Sequence, residues 1–292
     1  MSSQSAFRQR LYDTEILLAP GIYDAFGALV AERAGFEALY VSGASIAYSR
    51  LGRPDIGLVS LDELASVVGT IGERVDLPLL IDADTGFGNA INVQRTVRVL
   101  ERAGATAIQL EDQSLPKRCG HLNGKTLVST GEMCGKIKAA LDAKRNNHTL
   151  LIARTDAVSV EGVDAAMDRA ENYVEAGADI LFIEALEGVD QMKNVVHRFG
   201  TKIPLLANMV EGGKTPMQSS QELESIGYSV VIFPGALVRT LAHAADSFFK
   251  SLRAKGTTAD HLNKMLNFSE LNTLLGTQDI LQSANKYEED NN

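Results

Sequence analysis

The chain has 292 residues, 45% of them hydrophobic and 22% charged, the composition of a globular protein with a substantial core. A net charge of −9 excludes a general nucleic-acid surface, which needs a basic patch or stripe. Two cysteines make no disulfide framework, and no apolar run approaches the roughly 18 residues that span a bilayer; the expectation is a cytoplasmic protein with neither nucleic acid nor membrane as partner.

In chain order, "ILLAPG" predicts a first strand near 16–20, and "DAFGALVAERA" a helix after it. "AGFEALYVSG" joins a glycine-ended helix to a short apolar strand near 38–43, and the same pattern returns in "AGATAIQLED" (107–112), "AGADILFIEA" (180–185) and, more loosely, "IGYSVVIFPG" (229–234). Glycine suits the helix C-cap, where a left-handed residue penalises a side chain. Near-continuous apolar strands are what a parallel sheet covered on both faces requires. "LPLLIDAD" (77–84), "TLLIARTD" (149–156) and "IPLLANM" (203–209) supply the rest, with helical stretches such as "LDELASVVGTIGERV" and "DAAMDRAENYVEA" between them. Eight strand–helix units in one chain predict a (β/α)8 barrel. An open doubly wound sheet is the alternative, but no GxGxxG follows the first strand. No linker divides the chain, so residues 1–292 are read as one barrel domain with a helical extension from about 257.

Catalytic groups of such a barrel collect at the carboxyl ends of its strands. Those ends carry Ser42 and Gly43, Asp82 and Asp84, Glu111 and Asp112, Arg154 and Asp156, Glu184, and Asn208 and Glu211. A lone strand-end Asp is as readily a helix cap. "DAD" and "LED" on neighbouring strands would instead repel without a cation, and an all-oxygen set suits Mg²⁺ or Mn²⁺ better than zinc. Arg154 serves as counterion to these acids or as a two-pronged clamp on a substrate carboxylate.

The loop "PKRCGHLNGK" follows the fourth strand and hangs Cys119 over the same mouth. Lys117, Arg118 and His121 are expected to favour its thiolate, and Gly120 and Gly124 to let the loop close over substrate. An incidental surface thiol is the plainer alternative. Cys134, on a helix, is read as a packing residue.

"DADTGFG", "LEDQSLPKRCGHLNGK", "ARTDA", "FIEA" and "ANMVEGGKTP" together closely resemble the isocitrate lyase/phosphoenolpyruvate mutase superfamily, from about Gly21 to beyond Gly256. The resemblance implies a (β/α)8 barrel, Mg²⁺ or Mn²⁺, a small 2-oxo or 2-hydroxy carboxylate substrate, and homodimers that exchange their eighth helix, usually paired into homotetramers. Carried onto this chain, it gives Asp82 the metal and, with it, part of the substrate site, and has Asp84, Asp55 and Glu111 hold the metal's waters. It puts Tyr40, Ser42, Gly43 and Ala44 around the carboxylate and carbonyl end of the substrate, Arg154 near its 2-oxygen, and Gly120, His121, Glu184, Asn208 and Thr215 round the rest of the pocket. Cys119, Arg154 and Glu111 are the catalytic candidates, Cys119 as the acid–base thiol of a carbon–carbon lyase. "HLNGK" and "NMVEGGKTP" look like the branch that holds 2,3-dimethylmalate lyase and oxaloacetate acetylhydrolase, more than like the methylisocitrate lyases. The absence of a hydroxyl at Gly235 and Ala236 counts against the hydrolase and favours cleavage of a substituted malate, with 2-methylisocitrate as the other lyase substrate; an oxaloacetate decarboxylase would leave Cys119 without a role. A non-enzymatic dicarboxylate sensor would show a broken acid set, and here the set is complete.

Overall fold

The computed structural model describes residues 3–288. Eight parallel strands close into a barrel in chain order: β1 Leu17–Ile22, β2 Leu39–Val41, β3 Leu79–Asp82, β4 Ala107–Glu111, β5 Leu150–Thr155, β6 Ile180–Ile183, β7 Leu205–Asn208 and β8 Val230–Phe233. Every expected strand is present, and the closing pair, Leu17 to Pro20 beside Val230 to Phe233, excludes the open sheet.

Successive strand residues face opposite sides of the sheet, and the packing divides accordingly. Leu80, Ala107, Ile152, Ile180, Phe182 and Leu206 fill the interior, joined by Phe7 and Leu11 from the N-terminal helix Ser3–Arg10 and the residue after it. Leu39, Ile81, Ile108 and Leu151 face outward and pack under helices. Following the interior rows two residues at a time toward the carboxyl ends leads from Leu80 to Asp82, from Ala107 through Gln109 to Glu111, from Ile152 to Arg154, from Phe182 to Glu184 and from Leu206 to Asn208. An apolar plug therefore carries a polar floor above it.

Asp112 falls on the other side of β4. It accepts from Thr155 Oγ1 at 2.7 Å, Tyr173 Oη at 2.8 Å and the Asp156 backbone N–H at 2.9 Å. Burial raises its pKa, as does Asp156, while these donors pull the other way. Of the strand-end acids it is the one that ties strand to helix.

The chain separates into two compact units, residues 1–238 and 239–292, and the helix Ala236–Lys255 runs through the boundary. The second unit holds the rest of that helix, a 3₁₀ turn at Ala259–Lys264 and the helices Phe268–Leu275 and Thr277–Glu288. Within it Phe248 meets His261 edge-on at 5.3 Å, while Phe249, Leu262 and Phe268 are exposed. Among the described residues no helix is long and apolar enough to cross a membrane.

The closure of β1 on β8 makes a local prediction. A Cβ at Gly21 would overlap backbone atoms of Pro234, whose carbonyl carbon would lie 2.6 Å away. Gly21→Ala should therefore destabilise the barrel by about 1–3 kcal/mol in chemical denaturation. Gly69→Ala, in the helix Leu61–Gly72 and facing open space, should stabilise it by about 0.5–1 kcal/mol.

Candidate active site

The polar floor begins at Asp82. Its Oδ1 accepts from the Asp84 backbone N–H at 3.2 Å and from Gln109 Nε2 at 3.1 Å. Beyond it the chain turns through left-handed conformations at Asp84 (φ 48°) and Gly86 (φ 83°). Lys136, buried on the helix Thr130–Ala143, supports this turn by donating to Thr85 O at 3.1 Å. On the neighbouring strand Ser42 caps the short helix Gly43–Ile46, its Oγ accepting from Ser45 N at 3.2 Å. A Cβ at Gly43 would stand 3.4 Å from Asp82 Oδ2, so this backbone lies against the carboxylate; Ala44 is half-buried beside it.

Six buried carboxylates, Asp55, Asp82, Asp84, Glu111, Asp156 and Glu184, meet four buried cations, Lys117, Lys125, Lys136 and Arg154. Lys117 Nζ bridges Asp55 at 2.5 Å and Asp84 at 2.6 Å. Arg154 grips Asp156 with two bonds of 3.0 Å, stands 3.3 Å from Glu111 and 3.5 Å from Glu184, and lies 5.2 Å over the Phe182 ring. Lys125 adds a second contact to Asp156 at 2.9 Å. Burial opposes ionisation of Asp156, but Arg154 and Lys125 outweigh it and hold its pKa down to about 2. Asp84 goes the other way. Burial pushes it up to about 7, reinforced by Asp82 and Asp55 and only partly offset by Lys117. Burial likewise raises Glu111 well above the carboxylate range despite Arg154.

The loop after β4 lies down on this floor. Gln113 clamps the Arg118 backbone from both sides, at 2.9 and 2.8 Å, and Cys119 N donates to Asp55 O at 3.1 Å. Lys125 Nζ donates to Gly120 O. A side chain at Gly120 would overlap Arg154 Nη2 and come within 2.7 Å of Glu184 Cγ. Glycine is thus demanded here by close approach, where the sequence pointed to flexibility. His121 Nδ1 accepts from Lys214 N at 3.1 Å and its Nε2 stands 3.5 Å from Glu184 Oε1. Thr215 is buried next along that segment, and Glu211 is half-buried. Glu184 also accepts from Asn208 Nδ2 at 2.9 Å.

The expected electropositive thiolate needs correction. Burial raises the Cys119 pKa, and the His121 backbone N–H and Arg154 only partly oppose it. The flanking charges are engaged elsewhere: Lys117 with Asp55 and Asp84, Arg118 with Asn123 O at 3.0 Å. The His121 ring is driven toward neutrality by its own burial. Cys119 is therefore a protonated thiol at neutral pH, suited to giving a proton. Cys134 packs half-buried against the helix layer, as expected.

Sequence reasoning missed Gln109, Lys125 and Lys136. Gln109 carried a signal, since it sits two residues before Glu111 and so on the same inward row. The two lysines reach the site from a loop and a helix, and their spacing gave no sign of it. Among the described residues no three His, Cys, Asp or Glu side chains gather closely enough to hold a metal by themselves. The oxygen-rich floor nevertheless fits a hard cation reached largely through water, for Glu111 Oε1 is buried without a hydrogen-bond donor.

The chain matches the phosphoenolpyruvate phosphomutase family over residues 7–253. It is 44% identical over 289 residues to 2,3-dimethylmalate lyase of Eubacterium barkeri, covering 98% of this chain and 99% of that one. It is 49% identical over 272 residues to 2-methylisocitrate lyase of Aeropyrum pernix, covering 93% and 87%. Among solved structures, a 2,3-dimethylmalate lyase superposes with a TM-score of 0.92 at 33% identity over 98% of this chain and 96% of that one. Oxaloacetate acetylhydrolase with 3,3-difluorooxalacetate gives 0.91 at 33% identity over 98% and 97%. Phosphonopyruvate hydrolase in complex with oxalate and Mg²⁺ gives 0.88 at 28% identity over 98% and 99%. This chain belongs to the phosphoenolpyruvate mutase/isocitrate lyase superfamily.

Proposed function

We propose that this chain is a Mg²⁺-dependent carbon–carbon lyase, with Mn²⁺ as a substitute ion. Its substrate is a 2-hydroxy di- or tricarboxylate, either a substituted malate such as 2,3-dimethylmalate or 2-methylisocitrate. The products are pyruvate or a related 2-oxo acid and a carboxylic acid. The observation that carries this reading is the placement of Cys119 over the acid-rich floor, on a loop that is tied to Asp55 and whose next residue presses on Arg154 and Glu184.

A Mg²⁺ ion at Asp82, with Asp84, Asp55 and Glu111 holding its waters, would draw charge from the substrate's 2-oxygen. Glu111, whose buried Oε1 has no hydrogen-bond donor, is assigned the 2-hydroxyl proton, in the ionised form that a cation at Asp82 would favour against the burial that raises its pKa. As that proton leaves, the C2–C3 bond breaks, the 2-oxygen becomes a carbonyl and the bonding pair passes to C3, delocalised into its carboxylate. Arg154 stabilises the 2-oxygen, while the Ser42–Ala44 turn receives the carboxylate beside it. Cys119 then protonates C3. Gly120, His121, Glu184, Asn208 and Thr215 shape the side that receives the C3 substituents.

Exchange of the eighth helix between subunits, in a homodimer or homotetramer, belongs to the same proposal. Support comes from the helix Ala236–Lys255, which has no buried residue although it carries Leu241 and Phe249. A cytoplasmic location agrees with a Mg²⁺-using enzyme whose thiol must stay reduced. The hydrolase reading, oxalate and acetate from oxaloacetate, is disfavoured by Gly235 and Ala236, which offer no hydroxyl after β8.

Purified protein with Mg²⁺ should release pyruvate from a 2-methylmalate that also carries an alkyl group at C3, such as 2,3-dimethylmalate, or from 2-methylisocitrate, and EDTA should abolish it. Cys119→Ser should lower kcat by about 10²–10⁴-fold, the usual contribution of a positioned acid. Oxalate and acetate from oxaloacetate, or turnover indifferent to Cys119→Ser, would overturn the lyase reading. The pH dependence has a definite sign. A thiol whose pKa is raised keeps its proton to higher pH, so Cys119 alkylation by iodoacetamide, followed by mass spectrometry, should inflect above the ordinary thiol value of about 8.5.

A further inference from the structure

Three inward-facing side chains from three adjacent strands form a hydrogen-bonded line at the base of the site. Tyr40 Oη is 3.1 Å from Gln109 Oε1, and Gln109 Nε2 is 3.1 Å from Asp82 Oδ1. Gln109 is fully buried, Tyr40 is 1% exposed, and the β3–β4 register sets Asp82 directly beside Gln109. The direction of the line follows from the groups themselves. The amide NH₂ donates to Asp82 Oδ1, so its oxygen is turned to Tyr40. Tyr40 must then donate, which consigns its hydroxyl to Gln109. The two donors on Asp82, Gln109 Nε2 and Asp84 N, both occupy Oδ1. Oδ2 is left toward Gly43 and the mouth.

We infer that Gln109 is a positioning residue that holds Asp82 with Oδ2 presented to a divalent cation, and that Tyr40 is the lock that fixes the amide's orientation rather than a group that contacts substrate. The inference rests on the proposed metal site, and it concerns how this chain orients the one carboxylate expected to touch the ion. Hydrogen bonds to a ligating carboxylate commonly change metal affinity by about 10–100-fold. A buried amide here has a reason to exist that packing does not give it, since an apolar side chain would fill the same interior row.

The test is Mn²⁺ affinity, measured by electron paramagnetic resonance of the free ion on the intact protein without substrate. Gln109→Leu should weaken binding about 10–100-fold. Tyr40→Phe, which removes one oxygen and leaves the packing, should weaken it about 2–10-fold, the range of one net hydrogen bond. Because the two act in series, the double variant should be no weaker than Gln109→Leu alone. Thermal denaturation checks folding, and if Gln109→Leu does not fold, Gln109→Met and Tyr40→Phe still decide the matter. Folded variants with wild-type Mn²⁺ affinity would overturn the relay while leaving the metal site standing. Failure of the wild-type protein to bind Mn²⁺ would overturn the metal reading itself, and the relay with it.

Discussion

At a separation of 4 Å and an effective dielectric of about 20, two like charges repel by about 4 kcal/mol, and the mouth of this barrel concentrates six carboxylates around four cations. That imbalance organises the rest of the site. Lys117 stands between Asp55 and Asp84, and Arg154 holds Asp156 while leaning toward Glu111 and Glu184. On the β3–β4 side burial outweighs Lys117 and Arg154, and there Asp84 and Glu111 become hard to ionise, with the neighbouring carboxylates adding to the effect. A divalent ion at Asp82 would favour the ionised forms of both, which links the electrostatics of the fold to the chemistry proposed for it.

The loop that bears Cys119 is held by the same groups. Lys117 joins it to Asp55 and Asp84, Lys125 joins Gly120 to Asp156, and Gly120 rests against Arg154. Loop position and charge balance are therefore coupled, since a change in the floor is felt at the thiol. The burial that results keeps Cys119 protonated, and an acid poised over a forming carbanion needs that form. Asp112, one residue beyond Glu111, points outward and contributes by fastening β5 and the helix Val163–Glu175.

The barrel was legible because parallel strands buried on both faces read as apolar runs, and each ended in a polar residue or glycine that the eye can count. Asp82, Glu111, Arg154, Glu184 and Asn208 were legible for the same reason, as the last inward residues of their strands. Gln109 lies on the same row but two residues inside the strand, where nothing in the local pattern separates a functional amide from a packing residue. The charge state of Cys119 could not be read from its neighbours. Sequence adjacency set Lys117 and Arg118 beside it, whereas the folded loop turns Lys117 to two carboxylates and Arg118 to a backbone oxygen. Lys125 and Lys136 depend on how a loop and a helix return to the barrel, which no local pattern encodes.

Mn²⁺ titration with water-proton relaxation measures most directly whether this acid-rich mouth is built for a hydrated cation. One ion per chain should bind, with strong relaxation enhancement because most of its ligands remain water, and Asp82→Asn should abolish both signals. No stoichiometric binding, or a bound ion stripped of its water, would contradict the assignment of the floor as a metal site reached mainly through Asp82.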